Sequence, residues 1–134
     1  MSKKSPGFER QPDYPLGIKT ADGRVCVIYR GEKLANSKRA ICMTESTYDS
    51  VFYIPKDDVR MEFLSATDHK THCPFKGDAS YWSITCNGAT AVNAVWSYEN
   101  PFDEVVGIAG ALAFYTLSLI HISEPTRRTP ISYA

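Results

Sequence analysis

Residues 81–98 read YWSITCNGATAVNAVWSY, and this stretch predicts the fold more directly than any other part of the chain. Two runs rich in β-branched and aromatic residues flank Asn87-Gly88, a dipeptide that favours a two-residue hairpin turn. Apolar side chains recur in both runs, as they do in paired strands that lie against a core. We therefore interpret the chain as a domain built around a β-hairpin.

The hairpin turn also predicts a register. Cys86 is expected to pair with Ala89 and Trp82 to lie opposite Asn93, because each step away from the turn adds one residue to both strands. One face would carry Trp82, Ile84, Ala91, Asn93 and Val95, and the other Tyr81, Ser83, Val92, Ala94, Trp96 and Tyr98.

Strands and one helix complete the predicted fold. Strand-like runs precede the hairpin at residues 24–30, 33–36, 39–44, 51–54 and 59–63. A helix is expected after it, because Asn100 is a good N-cap and Pro101 suits the first helical position. Its buried stripe would comprise Phe102, Val105, Val106, Ala109, Leu112 and Ala113. The predicted fold class is mainly β (α+β), an antiparallel domain with one C-terminal helix.

Length and charge limit the function. The 134 residues suit one domain, and fifteen basic side chains balance fifteen acidic ones. Nucleic-acid coats and membrane-surface binders usually carry a basic excess, so neither class is favoured. No run approaches the roughly 20 apolar residues of a membrane span, and the N-terminus lacks the apolar segment of a signal peptide. We expect a soluble cytoplasmic protein with reduced thiols.

The two ends differ from the middle. Residues 1–19 are rich in proline and polar groups and are interpreted as an extended N-terminal arm. From position 117 the chain reads LSLIHISEPTR, which matches the translation of a common transposase sequencing adapter. We interpret residues 117–134 as a non-native tail from adapter read-through, a hypothesis that resequencing of the gene would test.

Several blocks of residues resemble one family. They are Asp22-Gly23-Arg24-Val25, Ala35-Asn36-Ser37, Tyr53-Ile54-Pro55, Cys73-Pro74-Phe75-Lys76-Gly77, Ala79-Ser80-Tyr81, Trp96-Ser97-Tyr98 and Ile108-Ala109-Gly110. In this order they resemble domain of unknown function 427, a family filed as a nucleotidyltransferase domain, over roughly residues 20–116. The resemblance implies a compact β-tent-like domain at residues 20–116. Zinc binding, common in the wider β-tent group, does not carry over because the chain has no C-x-x-C pair.

Reactive groups are concentrated at residues 71–82, THCPFKGDASYW. Cys73 is a candidate catalytic nucleophile if positive charge nearby lowers the pKa of its thiol. The alternative, which free cysteines more often follow, is a small buried residue before Pro74. Lys76 is the second catalytic candidate, since its amine could hold an anion or act as a nucleophile. No metal site is predicted, because adjacent residues such as His72 and Cys73 rarely reach one ion.

Aromatic and basic residues supply the binding candidates. Aromatic walls with a few polar groups are typical of small-ligand sites, although the same rings could simply form the core. Arginine pairs well with carboxylate and phosphate, although exposed arginines are often only solvated. The binding candidates are Arg39, Arg60, His72, Tyr81, Trp82, Asn93, Trp96 and Tyr98.

Three functions remain open at this point. The leading one is a small-molecule-binding domain, an enzyme if Cys73 or Lys76 reacts, with a pocket formed by residues 73–82 and the aromatic hairpin. The second is the nucleotidyltransferase that the family label implies. The chain nevertheless lacks both the Lys-x-Asp-Gly order and a G-x-x-x-x-G-K-[ST] loop. The third is a non-catalytic module that binds a peptide or protein. The sequence indicates no cofactor, ligand identity or oligomeric state.

Overall fold

A computed structural model describes residues 3–115, 119–123 and 131–133. The described strands are β1 (Leu16–Thr20), β2 (Arg24–Tyr29), β3 (Glu32–Ser37), β4 (Ile41–Glu45), β5 (Val51–Tyr53), β6 (Leu64–Cys73), β7 (Gly77–Cys86), β8 (Ala89–Ser97), β9 (Leu112–Phe114), β10 (Leu119–Ser123) and β11 (Ile131–Tyr133). The helices are α1 (Pro6–Arg10) and short 3₁₀ helices at Lys56–Asp58, Met61–Phe63 and Asp103–Ile108.

The strands form three antiparallel sheets. Their orders are β1-β4-β5, β11-β10-β2-β3 and β6-β7-β8-β9. A bridge between Ile54 and Leu112 joins the first sheet to the third, and a bridge between Ala35 and Val59 extends the second. The predicted class, mainly β with antiparallel pairing, is confirmed. No helix in the described part of the chain is long and apolar enough to cross a membrane.

Strand β7 separates two hydrophobic clusters. Trp82 and Ile84 belong to the first cluster, whereas Ala79 and Tyr81 belong to the second. This division follows from the alternation of side chains along a strand. The second cluster fills the space between the β1-β4-β5 sheet and one face of the β6-β9 sheet, because it also contains Met43 and other residues of β4 and β5.

The hairpin register is partly as predicted. Cys86 pairs with Ala89, but Trp82 pairs with Val95, so the predicted Trp82–Asn93 pair is wrong. The cause is a β-bulge. Between the Trp82–Val95 pair and the Ile84–Ala91 pair, β8 contributes two more residues than β7 does. Side-chain alternation cannot reveal such an insertion in advance.

Asn93 lies at the centre of this bulge. Its φ of 52° is in the left-handed region, and its backbone N–H donates to the Ser83 Oγ at 3.1 Å. We expect Asn93→Ala to lower the free energy of unfolding by about 1 kcal/mol more than Asn93→Gly, because both lose the amide but only alanine is strained there. Urea unfolding of both variants checks this. Equal losses would show that backbone strain at the bulge is unimportant.

The predicted C-terminal helix does not form. The segment begins with the 3₁₀ helix Asp103–Ile108, which is kinked at Val105, and then enters β9. Gly110, with φ 72°, turns the chain toward β9. The N–H and C=O of Leu112 then bond the backbone of Ile54, at 2.8 Å each. These sheet bonds outweigh the helical pattern, and Val106 of the predicted buried stripe is 62% exposed.

Both ends of the chain contain regular secondary structure in the described part. The predicted extended arm contains α1 and β1, and β1 pairs with β4 over five residues. At the other end, the backbone of β10 pairs with β2. Residues 116–118, 124–130 and 134 of the C-terminal segment lie outside the described part. The non-native origin of residues 117–134 and the domain limits at 20–116 stay predictions.

Candidate functional site

Side chains from several strands, the β6–β7 turn and the N-terminal segment bring polar and aromatic groups together in one cluster. Glu45, Tyr53 and Cys73 are the last residues of β4, β5 and β6. The polar–aromatic cluster comprises Tyr14, Glu45, Tyr53, Cys73, Lys76, Trp96 and Tyr98. Because the members come from different strands, the cluster exists only in the folded chain.

An ion pair lies at the centre of the cluster. The Lys76 Nζ donates to the Glu45 Oε1 at 2.8 Å, and these side chains are only 14% and 18% exposed. The Tyr14 hydroxyl donates to the other carboxylate oxygen, Oε2, at 2.6 Å. The Lys76 Nζ also lies 5.8 Å from the centre of the Tyr98 ring, within reach of a cation–π contact. Both carboxylate oxygens of Glu45 therefore have partners.

The turn between β6 and β7 positions Lys76. Its backbone N–H bonds the Cys73 carbonyl at 3.2 Å, and its carbonyl accepts from the Phe102 N–H at 3.0 Å. Gly77 follows with φ 120°, a conformation that side chains rarely allow. The Cys-Pro-Phe-Lys-Gly block thus folds as a tight turn that directs the amine toward Glu45.

Burial and hydrogen bonding shift the titration of these groups. Burial alone would raise the pKa of the Glu45 carboxyl, but hydrogen bonds from Lys76 and Tyr14 outweigh it and leave the pKa below its ordinary value. The hydrogen bond to Glu45 raises the pKa of Tyr14 to about 12. Burial raises the pKa of Tyr53 and of Tyr98. At neutral pH the cluster therefore presents a carboxylate beside neutral phenols.

A second group of aromatic contacts adjoins the ion pair. The Trp96 indole N–H donates to the Tyr53 hydroxyl at 3.2 Å, and the Trp96 and Tyr115 rings lie 4.5 Å apart. The Tyr81 hydroxyl is 2.9 Å from the Thr71 Oγ1. Tyr115 is 44% exposed, so this edge of the cluster reaches solvent.

The structure brings together five of the residues proposed from sequence. Cys73, Lys76, Tyr81, Trp96 and Tyr98 all contact the second hydrophobic cluster or the ion pair within it. This grouping follows from their positions on one face of the β6-β7-β8-β9 sheet and in the turn between β6 and β7.

Two other candidates lie elsewhere on the sheet. Trp82 packs against the first cluster, on the opposite face. The Asn93 side chain is 2.6 Å from the Thr67 hydroxyl, where it connects the bulge to β6.

The three remaining candidates contact acidic side chains outside the polar–aromatic cluster. Arg39 forms an ion pair with Asp58 at 3.1 Å, and the His72 Nδ1 lies 2.7 Å from the Asp78 Oδ1. Arg60 contacts two exposed carboxylates at 3.4 and 3.2 Å. A hydrogen bond from Ser37, with help from Arg39, holds the pKa of the Asp58 carboxyl below its ordinary value. Each of the three residues thus has an acidic partner within the protein, and its role in binding stays a prediction.

A family model for a domain of unknown function, DUF427, matches residues 17–123. The chain belongs to the DUF427 family. The family carries the label NTP_transf_9, which names a nucleotidyltransferase. A comparison with curated proteins finds no match. The match contains every member of the polar–aromatic cluster except Tyr14.

Sequence reasoning missed three members of the site in this DUF427 chain. Glu45 is a single acid at the end of a strand, Tyr53 belongs to a core-like run, and Tyr14 lies in the proline-rich segment. The isolated acid at the end of the apolar run ICMTE was the one available signal, since a charge there must find a partner if it is covered.

A groove elsewhere on the DUF427 domain has a volume of about 300 Å³. Its lining consists of Pro55, Lys56, Asp57, Ala109, Gly110 and Ala111. It shares no side chain with the polar–aromatic cluster. Within the described residues, no three His, Cys, Asp or Glu side chains are grouped to hold a metal ion.

Proposed function

We propose that this DUF427 domain binds a small molecule at the polar–aromatic cluster. The observation that carries the proposal is the Glu45–Lys76 ion pair, held mostly away from water among aromatic side chains. Covering two charges costs free energy that a purely apolar contact would avoid, so such pairs often serve recognition or chemistry. The residues that resemble the family's Cys-Pro-aromatic-Lys-Gly block contribute directly to it.

The chemistry of the cluster supports recognition of a polar ligand with an aromatic part. Lys76 can donate to an anionic or carbonyl oxygen, and Glu45 can accept from a hydroxyl or amine. The Tyr98 and Trp96 rings supply apolar walls, as is common in ligand sites. Cys73 beside them gives the site a group able to react covalently, which makes an enzyme a natural extension of this proposal.

Nucleotidyl transfer is the second candidate, and the family label supports it. Such transfer uses carboxylates that hold magnesium against phosphates. Two acids of the domain already have partners: Asp58 is bound to Ser37 and Arg39, and Glu45 is bound to Lys76. A nucleotide would therefore have to displace existing partners to bind through either acid.

A ligand screen by thermal unfolding tests the proposal. Nucleotides with magnesium and a panel of aromatic acids and amines would be compared, since a ligand at 100 times its Kd adds about 2.7 kcal/mol. We expect Glu45→Gln to weaken binding of any hit at least about tenfold, because the acceptor charge is lost. Glu62→Gln, at an exposed acid that pairs with Arg60, should bind as the wild type does.

The screen separates the candidates. A hit that binds both variants equally would place the site away from the cluster and contradict the proposal. Stabilisation only by nucleotides with magnesium, unchanged in Glu45→Gln, would favour the transferase. The absence of any hit would favour a protein- or peptide-binding module.

A further inference from the structure

The N-terminal segment lies directly over the proposed site. Residues 3–14, here called the strap, precede the part of the chain that matches the family, which begins at residue 17. Ser5 fixes one end of the strap: it is fully buried, its Oγ donates to the Pro74 carbonyl at 2.7 Å, and its N–H donates to Glu104 at 3.0 Å. Strand β1 fixes the other end. Between these ends, the segment contacts Pro74 and Phe75 of the β6–β7 turn and the Glu45 carboxylate.

Close contacts seat the strap on the turn that carries Lys76. The Gly7 N–H donates to the Pro74 carbonyl at 2.9 Å. A Cβ at Gly7 would come within 2.7 Å of the Phe75 ring and 2.9 Å of that carbonyl, so glycine permits the approach. The Phe8 ring meets the Phe75 ring edge-on at 5.1 Å. The strap is therefore fitted to the turn and does not merely pass near it.

Tyr14 makes the contacts expected of a bound ligand. Its ring stacks on Phe75 with centres 3.9 Å apart and planes 13° apart. Its hydroxyl donates to the Glu45 oxygen that Lys76 leaves free. A planar ring and a donor at its edge thus occupy the open position of the polar–aromatic cluster.

We infer that Tyr14 is an internal ligand of this site, and that the strap opens to admit an external one of like chemistry. The inference rests on the proposed small-molecule site and deepens it. The ligand class is a planar aromatic group that carries an O–H or N–H donor, stacks on Phe75 and donates to Glu45. Closure of the strap lowers the apparent affinity for such a ligand by the fraction of time that the site is open.

The strap has the character of a segment that can open locally. Its helix α1 has five residues, far below the length at which an isolated helix is stable in water. Residues 9–13 are exposed, so few apolar contacts hold the middle of the segment. Segments with these properties open at a lower free energy than the core.

Hydrogen exchange of the wild-type chain tests the opening without any ligand. The Gly7 and Gln11 amides, which bond Pro74 and Gly7, should exchange at least about 100-fold faster than the core Ile54 amide after correction for intrinsic rates. Exchange of strap and core amides at the same corrected rate would show that the strap opens only when the whole protein unfolds, and would overturn the inference.

Phenol tests the ligand chemistry, because it has the ring and hydroxyl of the Tyr14 side chain that the Tyr14→Ala variant lacks. In Tyr14→Ala, we expect iodoacetamide to alkylate Cys73 about tenfold faster than in the wild type, since the closed population falls. Phenol should slow this alkylation again, and benzene, which lacks the donor, should do so less. Tyr48→Ala, at a tyrosine that is 71% exposed, is the matched control and should behave as the wild type does.

The outcomes are distinct from those of the ligand screen. Equal effects of phenol on Tyr14→Ala and on the wild type, or no gain in Cys73 alkylation in Tyr14→Ala, would overturn the internal-ligand role. If Tyr14→Ala does not fold, Tyr14→Phe serves instead: it keeps the ring, should raise alkylation less, and should gain no protection from phenol. Rescue by phenol together with an empty ligand screen would uphold the internal ligand while contradicting the proposed function.

Discussion

Replacement of Lys76 by methionine is expected to lower the free energy of unfolding by about 3 kcal/mol at neutral pH. The substitution leaves the Glu45 carboxylate mostly covered and without its cation, because the pair is only 14% and 18% exposed. The Tyr14 hydrogen bond remains but supplies no opposite charge. Urea unfolding at pH 7 measures the loss.

The free energy of unfolding lost in Lys76→Met should be smaller at acidic pH than at neutral pH. In the wild type the folded-state pKa of Glu45 is lowered. Its stabilising contribution is therefore complete above the unfolded-state pKa and disappears as pH falls through the folded-state pKa. In Lys76→Met, burial persists without the cation, so the carboxyl pKa should rise and protonation should relieve the variant. The difference between the proteins is expected to start shrinking as pH falls through the raised pKa of the variant, above the ordinary carboxyl value of about 4.3, and to go on shrinking until pH has passed the lowered pKa of the wild type.

Two further variants test the cause. Glu45→Gln combined with Lys76→Met removes both charges and should be less destabilised than Lys76→Met alone. Arg60→Met is the control, since Arg60 pairs with Glu32 and Glu62 at the surface and should cost no more than about 1 kcal/mol. A wild-type urea midpoint for Lys76→Met would mean that the ion pair contributes nothing to stability.

Ile84→Ala is the second substitution with a large expected effect, a loss of about 3 kcal/mol. Ile84 has no exposed surface and belongs to the first hydrophobic cluster, so truncation leaves a cavity between closely packed strands. Thermal and urea unfolding should show the same loss.

Val92→Ala is the matched control on the partner strand. Val92 is 71% exposed at the bulge and should cost no more than about 0.5 kcal/mol when truncated. The simple hairpin register placed Val92 on the face of Tyr81 and Trp96, where truncation would have been costly. Similar losses at Ile84 and Val92 would contradict the bulged register.

In the hairpin, the local sequence predicted the turn and the pairing next to it but not the register beyond the bulge. Asn87-Gly88 placed the turn, and Cys86 pairs with Ala89 as expected. Three steps further the register changes at Asn93, because a bulge depends on what the neighbouring strand offers: here, the Thr67 side chain and the Ser83 hydroxyl. Local alternation carries no information about either contact.

The prediction of a C-terminal helix was wrong for a related reason. The apolar spacing of this segment is helical, yet Leu112 bonds Ile54 and the segment joins β8 as β9. Residues 54 and 112 are distant in the chain, so propensity over a short window could not weigh their contact against a helix.

The residues of the candidate site also fall into those that local sequence suggested and those that it did not. Cys73, Lys76 and the aromatic residues of the hairpin were proposed from local composition, because unusual residues are concentrated in one turn and one hairpin. Glu45 and Tyr14 were not, although Glu45 accepts hydrogen bonds from both Lys76 and Tyr14. Tyr14, Glu45 and Lys76 each lie about 31 residues from the next along the chain.

Residues 81–98 thus specified paired strands and a turn through contacts between near neighbours. The register beyond the bulge, the strand in place of a helix, and the hydrogen bonds of Glu45 with Lys76 and Tyr14 depended on packing between distant segments. Burial and hydrogen bonding between those segments act on free energies of several kcal/mol. Local preferences amount to less than about 1 kcal/mol per residue, and they yield where the two conflict.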